Sequence, residues 1–324
     1  MEQYNFSNSN IDLASETVGK FLIKVGVERR EALRTKLMLN QRDLEEGHHF
    51  EDAVAFGGWT MDDHSPKGFK QPGYSSRHIQ TQIPYEIPFR SFYSLAVPKL
   101  MFAGRNISAT HMAMSSTRVM ATCALVGQAV GTGAALALEK GCLPAQITEN
   151  YISLLQKNLQ NDGCYIPGLL RSIREDVFPE LAEEDVAILR NGWERPHEGV
   201  ANTVSFRDGS CLTVELTAPG GALRLALDPD FSRESITSDP VYRKFAMRSH
   251  LMKTDKPLNM PANLFRSCEV NVYTSAGEKI TTYITGNRKP RLFITLPENA
   301  IRVELAQMCS WGGSTVNLFA CDII

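Results

Sequence analysis

Residues 101–138, MFAGRNISATHMAMSSTRVMATCALVGQAVGTGAALAL, decide how the rest of the chain reads. A short apolar run ends in Ala103-Gly104-Arg105, a polar turn follows, and a long helical pattern studded with Gly and Ala begins. Gly127, Gly131 and Ala135 fall four apart, which lines small residues along one helical face. A face without bulk admits a backbone or a flat ligand, so tight packing is expected there.

Working outward, residues 99–104 read as a short strand and 111–139 as one long helix ended by Gly141. Upstream, 15–38 read as an amphipathic helix with Ser15 as N-cap, carrying Val18, Leu22, Val25 and Val27. Residues 40–98 read as loop-rich, punctuated by Gly57-Gly58, Pro66, Pro72-Gly73, Pro84, Pro88 and Pro98. Downstream, 144–162 and 166–189 give further helical patterns. Near Asn191-Gly192 the period changes from helical to alternating. CLTVELT (211–217), ALRLAL (222–227), CEVNVYT (268–274), RLFITLP (291–297) and IRVELAQ (301–307) place apolar residues at every second position. Strands without intervening helices predict an antiparallel, jelly-roll-like β-sandwich. The fold class is therefore α+β, with a first region over 1–187 and a sandwich over 188–324.

A net charge of −2 and the lack of a basic tract leave no electrostatic footprint for nucleic acid or an anionic membrane. No uninterrupted apolar run is long enough to span a bilayer, and the polar start MEQYNFSNSNIDLASETV does not resemble a signal peptide. Seven scattered cysteines, none spaced C-x-x-C, suit buried free thiols in a reducing compartment. The expected location is the cytoplasm, unless a preceding part of the protein carries an export signal.

No G-x-G-x-x-G follows a predicted strand. The nearest approach, Gly131-Thr132-Gly133-Ala134-Ala135-Leu136, lacks the third glycine and lies inside a helical pattern. P-loop, G-x-S-x-G and H-E-x-x-H motifs do not occur.

The run AGRNISATHMAMSSTRVMATCALVGQAVGTGAA resembles the C-terminal signature of FAD-dependent oxidoreductases of the fumarate reductase-like, glutathione-reductase-type class. More narrowly, it is similar to the bacterial family known as FAD-dependent oxidoreductase. The upstream segments DLEEGHHFEDAVAFGGWTMDDH and IPYEIPFRSFYSLAVPKLMFAGRNIS are similar to it as well, so the resemblance covers roughly residues 15–140. It implies FAD as cofactor and hydride transfer between an organic substrate and the flavin. It also implies a turn under the flavin formed by Gly104, Arg105, Asn106 and Ser108. Thr110, His111, Ser115 and Arg118 match the approach to the flavin, and Gly127, Gln128 and Gly131 match a G-Q-A-x-G segment. The glycine fingerprint that such enzymes use for the ADP moiety is not found, so the chain is expected to correspond to the C-terminal portion of such an enzyme. A separate dinucleotide-binding chain is the implied partner, beside a small-molecule substrate.

The resemblance places the Trp59-to-His64 segment on the substrate side, where His64 or Asp63 could withdraw a proton. The plain alternatives are an exposed loop histidine and a turn-capping aspartate. Arg105 and Arg118 offer guanidinium forks for an anionic ligand or a flavin oxygen; the alternative is an ion pair bracing the turn. His111, at a helix N-terminus, is placed to stay neutral and hydrogen-bond an oxygen. Cys123 reads as buried packing. His48-His49 and Asp62-Asp63-His64 lack the regular spacing of a metal site, and none is expected. In the sandwich, Trp193, Tyr242, Tyr273 and Trp311 could form a sugar-stacking platform or serve as core packing. The sandwich prompts a polyol or sugar-like alcohol as substrate. Two rival readings stand beside the enzyme: a non-catalytic subunit completing a flavin site elsewhere, and a carbohydrate-binding module.

Overall fold

The computed structural model describes residues 34–65, 67–73, 76–196, 200–218, 220–229 and 260–324. Most of the helix expected over 15–38, and Tyr242, lie outside the described residues. Residues 34–38 are not helical. They lead instead into an extended Leu39, which bridges Ala109 through Leu39 N–H to Ser108 O (3.0 Å) and Thr110 N–H to Leu39 O (2.8 Å). The chain divides into two units, the first ending at Leu169 and the second running from Leu170 to Ile324.

In the first unit, helix α1 (Gln41–Glu46) begins at Asn40, whose side chain accepts from Arg42 N–H. Asp43 reaches back to the Asn40 N–H, so two otherwise orphaned donors are satisfied reciprocally. Strand β1 (Ala53–Gly57) pairs antiparallel with β4 (Tyr85–Pro88). Strand β2 (Met61–His64) pairs in the same sense with β3 (Ser76–Ile79). The stretch expected to be mostly loop thus holds four strands of four or five residues, too short to print a period on the sequence. The strand expected over 99–104 reduces to a single bridge between Tyr93 and Met101, followed by a 3-10 turn over Gly104–Asn106.

The long helix expected over 111–139 is broken in two: α2 (His111–Thr117) and α3 (Met120–Glu139), with Val119 extended at φ −67° and ψ 146°. The polar run before the break explains it, because short hydroxyl side chains bond to backbone carbonyls in place of continuing the helix. Ser115 Oγ donates to Met112 O (2.7 Å), Ser116 Oγ to Trp59 O (2.5 Å), and Arg118 turns toward Asp62. At the other end the stop at Gly141 holds. Gly141 sits at φ +61°, its N–H bonds Leu138 O and the Cys142 N–H bonds Ala137 O, closing a Schellman motif.

α3 packs against β1 and against helices α4 (Pro144–Asn150) and α5 (Ile152–Asn161). The period over 144–162 is interrupted at Tyr151, which is not helical (φ −136°, ψ 13°). The buried side of α3 is Thr122, Val126, Ala129, Gly133, Leu136 and Ala137, a three-and-four spacing that meets Phe89 and Leu155. Each fully buried ring such as Phe89 or Phe92 contributes about 1.5–3 kcal/mol. The close approach expected at Gly127, Gly131 and Ala135 falls instead at Gly133: a Cβ there would lie 2.7 Å from the Phe89 ring. At Gly127 and Gly131 nothing lies within 4 Å, because that line is a third of a turn or more away from the core-facing one. By length and composition α3 could cross a bilayer, though a third of its most apolar window is buried inside the protein.

In the second unit, the helical pattern over 166–189 survives only as α6 (Glu183–Arg190). Gly168 at φ +71°, Pro179 and a bridge between Val177 and Glu215 hold the rest irregular. Among the described residues, eight strands form two antiparallel sheets. They are β5 (Val204–Arg207), β6 (Leu212–Glu215), β7 (Ala222–Leu227), β8 (Phe265–Thr274), β9 (Lys279–Ile284), β10 (Arg291–Thr295), β11 (Ala300–Ser310) and β12 (Thr315–Ile323). One sheet has the order β10-β7-β12-β5 and the other β6-β11-β8-β9. Leu223, Leu225 and Leu318 from the first and Val270, Val303 and Leu305 from the second share one core, which makes this unit a β-sandwich. On β7 and β12, Arg224 and Asp322 are cross-strand neighbours, fully buried under Arg171 and Glu194. Arg224 meets Glu194 through two bonds of 2.6 Å, and Arg171 Nη2 bonds Asp322 Oδ2. Pairing of this kind offsets the desolvation of each charge.

Candidate functional site

The site grows from the β2–β3 ribbon and α2. Register sets Asp62 opposite His78, Asp63 opposite Arg77 and His64 opposite Ser76. α2 lies on β2, and this brings His111 Nε2 to 3.1 Å from Asp63 Oδ1 across 48 positions of sequence. A carboxylate only accepts, so Nε2 carries a proton in this contact, and in the neutral ring the lone pair lies on Nδ1. Arg118, just beyond α2, donates to Asp62 O (3.1 Å) and stands 3.6 Å from Asp62 Oδ2. His64 Nε2 lies 3.0 Å from the same oxygen, and His78 Nδ1 lies 3.6 Å from Asp62 Oδ1, a buried atom without a hydrogen bond. His64 and Arg118 therefore meet at Asp62, and His111 meets Asp63, the next residue of β2.

Asp62 was missed in the sequence, as were His78, Ser116 and Tyr85. The only available signal was the doubled Asp62-Asp63 before His64; the register that gathers the others is a tertiary fact. Tyr85 OH and Ser116 Oγ are 2.6 Å apart, and burial pushes the Tyr85 phenol up to about 12. Ser116 also holds the carbonyl of Trp59, which accepts a second hydrogen bond from Thr81 Oγ1 (3.2 Å).

The turn that precedes α2 needs Gly104 at φ +65°, and it rests on α3 beside Cys123. Cys123 is half-buried, and burial pushes its thiol up against a smaller opposing pull from Arg105. Arg105 and Asn106 are exposed, and Arg105 makes no ion pair among the described residues. The bracing ion pair belongs to Arg118 instead. Ser108 has its backbone committed to Ser91 and Leu39, and Thr110 Oγ1 caps α2 at Ala113 N–H (3.4 Å). His111 therefore heads a two-turn helix, while the dipole of the long helix begins at Met120. Gly127, Gln128 and Gly131 lie on the outer side of α3.

His49 belongs to the scaffold: its Nδ1 lies 3.0 Å from Glu86 Oε1, a hydrogen bond that raises its pKa, and Glu86 also accepts from Phe50 N–H. No metal-ligating group of three or more appears among the described residues. A cavity of about 480 Å³ opens at the C-terminal end of α3 between Met101, Ala134, Leu138 and Leu143. In the sandwich the Tyr273 ring is covered by the Arg302 guanidinium at 4.0 Å, and Trp311 Nε1 donates to Asn287 O (2.6 Å). Both rings are thus engaged by their own neighbours.

Residues 19–159 match the family described as FAD dependent oxidoreductase, and this region is a partial domain of that family. No curated protein matches the chain. Among solved structures, a two domain protein of unknown function from Bacteroides fragilis is 14% identical with a TM-score of 0.31. The match covers 46% of this chain, which spans only 41% of that protein's length. A fucose binding module from Streptococcus pneumoniae is 11% identical (TM-score 0.29), over 49% of this chain and 98% of the module. The lectin binding domain of Lectinolysin, complexed with Lewis b, is 11% identical (TM-score 0.28), over 46% of this chain and 90% of that domain.

Whether these residues fit FAD can be judged from the space they leave. The absence of any atom within 4 Å of a Cβ built at Gly127 or Gly131, with an exposed Arg105 that lacks an ion pair among the described residues, leaves room and a cation for a flat anionic group. That space and that cation are compatible with the flavin end of the cofactor. For the ADP end, no glycine-rich strand–turn–helix is present among the described residues.

Proposed function

We propose that this chain is part of an FAD-dependent oxidoreductase in which the Asp63–His111 pair moves the substrate proton while hydride leaves for the flavin. The observation that carries the proposal is the 3.1 Å contact between His111 Nε2 and Asp63 Oδ1, which leaves His111 Nδ1 as an exposed base. FAD, when bound, supplies a two-electron acceptor. Gly104, Arg105 and Asn106 in the turn would hold it, together with Gly127, Gln128 and Gly131 on the outer side of α3. Asp63 fixes the His111 tautomer and stabilises the imidazolium formed when Nδ1 takes a proton. Arg118 balances Asp62, so the neighbouring His64 is held at a carboxylate already compensated.

The cofactor's ADP end calls for a dinucleotide-binding part, on a separate chain or elsewhere in the same protein, seated on the outer side of α3. There Met120 is 89% exposed and Leu138 84% exposed on an otherwise apolar helix. The test is the visible spectrum of the purified chain before and after FAD addition and desalting. A retained flavin spectrum supports a working site in this chain. A colourless protein overturns autonomous binding, and restoration of the spectrum by an added dinucleotide-binding domain then supports the two-part site.

A further inference from the structure

We infer that Arg118 is the positioning residue of this site: it ties the strand that carries Asp63 to the helix that carries His111, and so keeps the two side chains in contact. The inference rests on the oxidoreductase reading for its consequence in catalysis, while the positioning itself stands on the contacts of α2 with β2 alone. The His111–Asp63 contact does not hold itself. The His111 side chain keeps 79% of its surface in solvent and that of Asp63 keeps 33%. A pair so exposed gains little beyond the cost of ordering two side chains. Nor does α2 hold its own place, because seven residues of helix are too few to be stable without outside contacts.

What fixes the approach lies at the other end of α2. Arg118 is the C-cap of this helix, and the chain turns out of it at Val119. Arg118 Nη2 donates to Asp62 O (3.1 Å) and stands 3.6 Å from Asp62 Oδ2, with both side chains less than one-third exposed. Because one acceptor is a main-chain carbonyl, this grip holds the strand itself and not only a rotamer of Asp62. Two residues earlier, the fully buried Ser116 donates to Trp59 O (2.5 Å), a second tie between the same turn and the chain entering β2. His111 opens the helix that Arg118 caps, and Asp63 directly follows Asp62. Fixing Asp62 against the last turn of α2 therefore fixes Asp63 against the first, across about 10 Å of helix. Engaged in this way, Arg118 acts on the reaction through Asp62 and Asp63 and not by contact with the flavin.

The test is the nuclear Overhauser effect between the His111 ring and the Asp63 Cβ protons, read in the full chain as wild type, R118M and R118Q. It is accompanied by FAD content and, with a substrate found by screening, the rate of flavin reduction. The effect is expected in wild type and is lost in both variants, while the far-ultraviolet circular dichroism stays unchanged. R118Q keeps a polar end too short to reach the Asp62 carbonyl, and it carries the test where R118M does not fold. In the FAD-loaded variants, flavin reduction at saturating substrate falls about tenfold, with FAD content and the half-saturating substrate concentration unchanged. Lack of the effect in wild type, or its survival in a folded variant, overturns the inference. Loss of FAD from a variant that keeps the His111–Asp63 effect overturns it as well, and makes Arg118 a cofactor ligand. A wild-type chain that rejects FAD, yet loses the effect in the variants, defeats the flavin reading alone; one that keeps FAD with the effect unmoved by the variants defeats this inference alone.

Discussion

A Cβ placed on Gly133 would lie 2.7 Å from the ring of Phe89, whereas at Gly131, two residues earlier on the same helix, it would meet nothing within 4 Å. The two glycines look alike in sequence and are opposite in environment. Gly133→Ala is expected to destabilise the first unit by up to about 2 kcal/mol, overpacking of about 1–3 kcal/mol set against a helix-propensity gain of about 1 kcal/mol. Gly131→Ala is expected to stabilise it by about 0.5–1 kcal/mol. Urea unfolding of both variants measures the difference, and a stabilised Gly133→Ala would contradict the packing described.

Asp63→Asn keeps the shape of the acceptor but lets an amide N–H face His111 Nε2, favouring the tautomer with its lone pair turned away from substrate. With the FAD-loaded protein and a substrate found by screening, flavin reduction should slow about a hundredfold, with FAD content unchanged. An undiminished rate would remove Asp63 from the mechanism.

The Tyr85 phenol, pushed up to about 12 by burial, should make stability fall in alkali. An unfolded tyrosine titrates near 10, so between about pH 10 and 12 the unfolded state has lost a proton that the folded state keeps. The stabilisation is present below pH 10 and disappears as the pH rises through 12, by at most about 2–3 kcal/mol. Tyr85→Phe should flatten this part of the curve relative to wild type, in chemical denaturation at a series of pH values.

Arg224→Leu leaves Glu194 and Asp322 buried with one partner fewer. The sandwich is expected to lose about 3–5 kcal/mol, seen as a lower melting temperature of the second unit. Replacing Arg224 and Asp322 together by apolar residues should cost less than the single change, because no lone charge is then left.

The two sheets were legible where strands alternate, as in β8 and β11. β12 was not, since its burial is nearly continuous and prints no period of two. β5 and β9 were also missed, β9 because all but one of its residues are exposed. The helix break at Val119 escaped for a different reason: at the end of α2 the Ser116 hydroxyl and the Arg118 guanidinium bond the carbonyls of Trp59 and Asp62, more than fifty residues upstream.

By itself the sequence determined the α+β order, the small-residue helix with its Gly141 stop, and the family resemblance of the first half, because local propensity, capping and period are written within a few residues of one another. It also singled out His64, Asp63, His111 and Arg118. Only the tertiary structure decided that His64 and Arg118 meet at Asp62 while His111 meets Asp63, that Gly133 and not Gly127 or Gly131 takes the close contact, and that Arg224 and Asp322 are buried as a pair. Each of those facts depends on which distant segment fills the space beside a residue, and strand register and helix packing fix that only once the chain is folded.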